Sequence, residues 1–225
     1  MTHERPLPDE VLLLAIDDEG KYLVDQNKLR VALAASALLE LHLVGVLETD
    51  QDGKRDRLRR TGGSVPGDDP LWAEIAEKAD DKTPKSAVSA LVSNPFHNLG
   101  TKVEEQSLEK LVADGVLEKQ EGKTLGVFPT KRWPTADASE EASVQATVRA
   151  ALATGDDPDV RTGALISVLW SIGLVKEVFP GEAAERRAEE IAEGDWAAAA
   201  TKGVVAGMTA AVIAGAAVGG GILGS

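Results

Sequence analysis

NKLRVALAASALLELHLVG, residues 27 to 45, decides the fold. Its apolar residues Leu29, Val31, Leu33, Ala37, Leu38, Leu41 and Val44 recur close to every third or fourth position, and Gly45 follows as a stop, so Asn27 opens a core helix that ends near Gly45. Upstream, Pro8 and Asp9 introduce Leu12, Leu13, Leu14 and Ile16, which read as a short buried helix ending at Gly20. Downstream, Val46 to Glu48 and Arg55 to Arg60 flank a polar Thr-Asp-Gln-Asp-Gly turn, the pattern of a small hairpin.

The same alternation of helical runs and breakers continues to the C-terminus. Thr61 to Asp69 is a Gly, Ser, Pro and Asp loop, followed by helices near Pro70 to Ala79 and Pro84 to Val92. Val103, Leu108, Leu111 and Val112 mark a helix that stops at Asp114-Gly115. A second hairpin is expected with strands Val116 to Gln120 and Thr124 to Thr130 around Glu121-Gly122. After a loop from Trp133 to Ser139, helical spacing returns at Val144 to Leu152, Leu165 to Ile172, Ala183 to Ile191 and Trp196 to Val218. No fixed-period repeat argues for a solenoid.

Gly203 to Ser225 holds no charged residue and is long enough to cross a bilayer. It is mostly Ala and Gly, lacks an aromatic belt, has only Lys202 as a flanking basic anchor, and is broken by Gly219 to Gly221. A packed core helix is the better reading, with Gly203, Gly207, Gly215 and Gly219 spaced for close helix approach. The expected architecture is therefore mainly α: a single globular multi-helix domain over residues 1–225 around a buried Ala/Gly-rich helix, with two small β-hairpins and flexible ends at 1–7 and 219–225.

Composition then removes function classes. The chain of 225 residues has 43% hydrophobic residues, enough for one sizeable core, and 37 acidic against 24 basic residues give a net charge of -13, which disfavours general nucleic-acid binding. The absence of cysteine excludes disulfides, thiolate catalysis and Cys-based zinc sites together. Met1 to Glu10 has neither the basic start nor the apolar run of a signal peptide, so an intracellular, cytoplasmic protein is expected. Abundant Ala with scarce aromatics fits a GC-rich bacterial genome.

The sequence shows no catalytic residue, metal site or cofactor loop. His3, His42 and His97 have no partner at a metal-ligand spacing. Thr61-Gly62-Gly63-Ser64 leads into a proline-containing loop rather than a helix, so it does not read as a phosphate or dinucleotide loop. The adjacent acids Glu104-Glu105, Glu140-Glu141 and Glu189-Glu190 read as solvated helix faces.

Two features rise above this background. Lys54, Arg55, Arg57, Arg59 and Arg60 concentrate positive charge against Asp56 alone, which fits either a charge-protected edge strand or a surface for anionic headgroups. The hairpin region Val116 to Trp133 carries Leu125, Val127 and Phe128 beside Lys131, Arg132 and Trp133. That mixture suits a wedge whose apolar tip enters the acyl boundary while its cations meet headgroups, or a hairpin packed on its own core.

The order of these elements resembles the Golgi phosphoprotein 3 family of peripheral membrane proteins, and the chain is identified as a bacterial, actinobacterial member. The resemblance rests on Glu10-Val-Leu-Leu-Leu-Ala-Ile with Gly20, on Leu38-Leu-Glu-Leu with Gly45, on Leu108 to Leu117 with Gly115-Val-Leu and the hairpin, and on Asp157-Pro158 leading into Arg161 and Ala164 to Trp170. It implies a helical core with a membrane-facing side, an inserting hairpin at Val116 to Trp133, and a basic pocket for phosphatidylinositol 4-phosphate. The pocket implied is a tryptophan before the second helix, an arginine within it, and two arginines at the start of the helix before the hairpin. Ungapped alignment puts Asp25, Ala34, Thr101 and Glu104 at those positions, with Arg30 and Lys102 close enough to stand in. Glu104 would weaken the grip on a phosphomonoester, so another anionic headgroup fits better. The basic N-terminal arm with which eukaryotic members engage vesicle coat is missing, since Met1 to Glu10 holds only Arg5.

The sequence thus leads to a non-enzymatic peripheral protein on the inner face of the membrane, docking on anionic lipid with help from a homo-oligomeric contact. The alternative is a soluble adaptor that uses the same fold to grip a protein. The candidate headgroup residues are Arg30, Lys102, Arg55, Arg57, Arg59, Arg60, Lys131 and Arg132, and the inserting residues are Leu125, Val127, Phe128 and Trp133.

Overall fold

The computed structural model describes residues 5–50, 56–124, 128–193 and 199–219. In chain order its elements are α1 (Leu7–Leu14), α2 (Gln26–Leu43), β1 (Leu47–Asp50), β2 (Arg57–Arg60), a single 3-10 turn at Pro66–Asp68, α3 (Pro70–Ala79), α4 (Pro84–Val92), α5 (Leu99–Ala113), β3 (Gln120–Thr124), β4 (Phe128–Arg132), α6 (Ser139–Ala153), α7 (Val160–Ser171), α8 (Leu174–Val178), α9 (Glu182–Ala192) and α10 (Ala199–Gly219). The protein is mainly α, with two antiparallel two-stranded sheets, β1–β2 and β3–β4.

Short polar side chains start the helices by accepting the backbone N–H groups that no helical carbonyl can reach. Asp25 caps α2 through Asn27 and Lys28, Asp69 caps α3 through Leu71, and Thr83 caps α4 through Ser86, with Pro70 and Pro84 in the first helical position. Asn98 caps α5 through Thr101, and Asp159 caps α7 through Arg161 and Thr162.

The centre is α2. Leu29 and every residue from Ala32 to Leu41 are buried, and α1, α3, α4, α5, α7 and α10 all pack on it. The Ala/Gly-rich α10 covers α2, α4 and α7 with one face, burying Val204, Val205, Met208, Ala211 and Val212 while Ile213 stays exposed. A methyl group at Gly207 would come within 2.8 Å of Pro84 Cβ, so this glycine does permit close approach. No helix among the described residues is long and apolar enough to cross a membrane.

Among the boundaries that differ from expectation, three have a clear local reason. The first helix ends at Leu14 rather than at Gly20, because Ile16 turns into an antiparallel bridge with Tyr22 and Leu23 N–H donates to the Ala15 carbonyl at 2.9 Å. The second hairpin turns later than Glu121-Gly122: Gly122 sits opposite Thr130 inside the ladder, and Thr124 opposite Phe128 closes it. Val116 and Leu117 are not strand, because their N–H groups both return to the Leu111 carbonyl at the end of α5 while their side chains are buried. The five-residue α8, following the left-handed Gly173, was not expected.

Candidate functional site

The first candidate region is where α5 meets α2. A methyl at Gly100 would collide with the Arg30 carbonyl, so the start of α5 lies directly on the second turn of α2. This contact brings Glu104, only 4% exposed, to Arg30: Nε donates to Glu104 Oε2 at 2.6 Å. The Tyr22 hydroxyl donates to Glu104 Oε1 at 2.7 Å, and Gln26 adds a longer bond of 3.5 Å. Burial, then the bond to Glu104, pushes the Tyr22 hydroxyl well above its ordinary pKa.

The four positions that the resemblance assigns to a phosphate pocket therefore do other work here. Asp25 caps α2, Ala34 is fully buried, Thr101 N–H goes to the Asn98 cap at 3.1 Å, and Glu104 occupies the donors. Lys102 is also engaged, with Nζ 3.3 Å from Glu74 Oε2, and His97 Nε2 bonds the other Glu74 oxygen. The hydrogen bond from His97, then that from Lys102, holds the Glu74 carboxyl below its usual pKa range.

The basic run on β2 meets acids from the turn after α3. Arg57 Nη1 donates to the Asp81 carbonyl at 2.5 Å, and Arg59 reaches Asp81 Oδ1 at 2.8 Å and Asp50 Oδ2 at 3.3 Å. Between them Leu58 is buried and bridges to Lys82. The outer side of β2 is thus covered by backbone, with Leu58 N–H donating to the Lys82 carbonyl at 2.8 Å and Asp81 N–H to the Leu58 carbonyl at 2.9 Å. Arg60 is exposed, with its N–H on Asp80 Oδ1 at 3.1 Å, and its side chain has no ion pair among the described residues. Lys54 and Arg55 lie outside the described residues.

The β3–β4 hairpin is different. Its register sets Glu121 opposite Lys131 and Gln120 opposite Arg132. Lys119 takes Glu121 at 2.9 Å, and that bond holds the Glu121 carboxyl below its ordinary pKa. Lys131 and Arg132 are both exposed and have no ion pair among the described residues. Leu125 and Val127 lie outside the described residues, and Phe128 is placed by backbone as the last pair of the ladder.

The base of this hairpin is fixed to the core. Trp133 is half-buried against the apolar cluster, its backbone N–H donates to the Gly20 carbonyl at 3.3 Å, and Glu118 N–H donates to the Pro134 carbonyl at 2.9 Å. Trp133 therefore anchors the hairpin to the core. Between α5 and this base lies a cleft of about 350 Å³, floored by Leu108, Val112 and Trp133 and rimmed by Glu105 and Glu109 on one side and Lys131 on the other.

A last polar cluster was hidden in the motifs. Glu10, Glu40 and Arg161, from α1, α2 and α7, meet in the interior: Arg161 Nη1 is 2.9 Å from Glu40 Oε2 and Nη2 is 3.5 Å from Glu10 Oε2. Glu40 Oε2 also accepts Leu7 N–H at 2.8 Å, and Arg161 donates to the Arg5 carbonyl. Arg5 itself bonds Glu140 and Asp114, the latter at 2.7 Å. These are architectural contacts. Their sequence signal was a charged residue embedded in an apolar run, Glu40 within Leu38 to Leu41.

Among the described residues no three His, Asp or Glu side chains are grouped to hold a metal. A comparison with curated proteins returns no match. The model of the family described as Golgi phosphoprotein 3 matches residues 7–208, a span that runs from the first residue of α1 into α10 and takes in both hairpins. With that much of the chain covered, the chain belongs to the Golgi phosphoprotein 3 family.

Proposed function

We propose that this protein is a non-enzymatic, peripheral lipid-binding protein that docks on anionic bilayers through the β3–β4 hairpin. Family membership is consistent with binding lipid or protein. The observation that carries the reading is the position of the unpaired cations: Arg30, Lys102, Arg57 and Arg59 are each engaged by an acid, whereas Arg60, Lys131 and Arg132 are exposed with no ion pair among the described residues, and of these only Lys131 and Arg132 share a hairpin with the apolar Leu125, Val127 and Phe128. Leu125, Val127 and Phe128 follow β3 in sequence and supply the apolar residues that would enter the acyl boundary. A chain of net charge -13 is repelled by an anionic leaflet at long range, so docking requires that this basic end be turned toward it. The headgroup is read as an anionic phosphodiester. Glu104 is the reason it is not assigned to phosphatidylinositol 4-phosphate at the position of Arg30.

Co-sedimentation with phosphatidylglycerol-containing vesicles tests this. Binding is expected to fall with salt and to be weak on pure phosphatidylcholine. Each basic residue near such a surface contributes about 1 kcal/mol, so the K131Q/R132Q variant is expected to bind roughly thirtyfold more weakly. K102Q, which loses a cation already engaged by Glu74, is expected to bind like the parent. Equal binding of K131Q/R132Q and parent would remove the hairpin from the docking surface. No binding to any vesicle would reject the membrane reading and leave the hairpin as a protein-gripping arm.

A further inference from the structure

The cleft between α5 and the hairpin base combines features that the docking reading alone does not use. Glu105 and Glu109 stand one helical turn apart on the exposed side of α5, and neither has an ion pair among the described residues. Carboxylates at this spacing repel each other. They also lie beside the end of the protein that would approach an anionic surface, where they oppose docking unless a cation compensates them. Across the cleft stands Lys131, and Lys119, which also lines it, already holds Glu121. The floor is apolar, formed by Leu108, Val112 and the half-buried Trp133, and the volume of about 350 Å³ lies at the small end of ligand sites.

A cleft with two acids on one wall, an exposed ammonium on the other and an apolar floor is complementary in charge and polarity to a ligand that carries a cation, an anion and an alkyl body. We propose that it binds the headgroup of an aminophospholipid such as phosphatidylethanolamine. The primary ammonium donates to Glu105 and Glu109, the phosphodiester pairs with Lys131, and the glycerol and first methylenes cover Leu108, Val112 and Trp133. This deepens the membrane reading, since it seats one lipid molecule at the root of the docking hairpin. A primary ammonium has three donors and can bond both carboxylates, whereas the trimethylammonium of phosphatidylcholine has the same charge and no N–H. The expected signature is therefore discrimination between two zwitterionic lipids of equal net charge.

The test uses the full chain and two probes. Dihexanoyl phosphatidylethanolamine and dihexanoyl phosphatidylcholine, both kept monomeric, are titrated by calorimetry with the Trp133 indole N–H followed by NMR. Vesicles with a fixed phosphatidylglycerol content, completed with either zwitterionic lipid, are titrated in parallel. The expected result is about tenfold tighter binding of the ethanolamine lipid in both assays, with the Trp133 signal shifting, and an E105Q/E109Q variant that binds the two lipids equally. Equal binding of the two short-chain lipids, or an E105Q/E109Q variant that keeps the preference, would overturn the assignment. Vesicle failure with retained short-chain discrimination would reject membrane docking while sustaining the cleft. Vesicle binding without discrimination would do the reverse.

Discussion

Truncating Arg161 to Ala is expected to lower the unfolding free energy by about 3–5 kcal/mol, because it takes away the cation that two buried carboxylates share. Arg161 joins Glu40 at 2.9 Å and Glu10 at 3.5 Å, and those acids are only 6% and 8% exposed. The cost arises from stranding charge rather than from losing net attraction. The pairing itself is a weak source of stability, since desolvating both partners consumes most of what their attraction returns. A double variant that removes charge from both sides, R161M/E40Q, should therefore recover part of the loss, because the amide introduced by E40Q would still offer an oxygen to Leu7 N–H. Urea denaturation of the parent, both single variants and the double variant measures the coupling, expected at about 1–3 kcal/mol. A loss below about 1 kcal/mol for Arg161→Ala would show that water reaches the cluster and compensates the acids.

The second large effect is expected at Gly20. Its φ of +78° is strained for any residue with a Cβ, and the added methyl would fall on the Trp133 amide, within 2.5 Å of Pro134 N. The conformational penalty is about 1–2 kcal/mol and overpacking adds about 1–3 kcal/mol, so Gly20→Ala should destabilise by roughly 2–5 kcal/mol. Gly45→Ala is the matched control. Gly45 has φ +75° but nothing within 4 Å of the added methyl, so it should suffer the conformational penalty alone. Because the contact broken at Gly20 is the one that fixes the hairpin base, Gly20→Ala should also weaken vesicle binding, whereas Gly45→Ala should not. Denaturation curves and vesicle co-sedimentation of both variants check this, and equal losses from the two would place the strain in the backbone conformation rather than in the contact.

Much of the helical framework was legible because its signals are local. α3 and α4 span the segments expected, since Asp69-Pro70 and Thr83-Pro84 combine a cap with a proline in the first turn. The run 27–45 identifies the central helix, and the Ala/Gly-rich α10 packs on it as a core helix buried on one face. Apolar periodicity alone does not separate a helix buried all round from one buried on a single face when the residues are small. The second hairpin was found but its turn misplaced, because Gly122 reads as a turn residue while the ladder continues through it to Thr124. The ends of such elements depend on which carbonyl takes each N–H, as Val116 and Leu117 show.

The candidate site was legible in composition but not in pairing. Arg57 and Arg59 stand out by sequence, yet their main partner, Asp81, arrives from the far end of α3. Arg30 and Glu104 are brought together only by packing α5 on α2. Lys131 and Arg132 show the reverse case, staying exposed with no ion pair among the described residues. Which charges stay available is a property of the tertiary structure.

Glu104 has a consequence for ligand exchange. A carboxylate seated on Arg30 and Tyr22 is a competitor tethered to its own receptor. Its effective concentration, of about millimolar for even a flexible tether, never dilutes away. A phosphate arriving from solution or from a bilayer would have to outcompete that resident group before gaining any contact with Arg30. Any ligand specificity at this position would therefore be set by the strength of the resident bond, and a single carboxylate would be the latch.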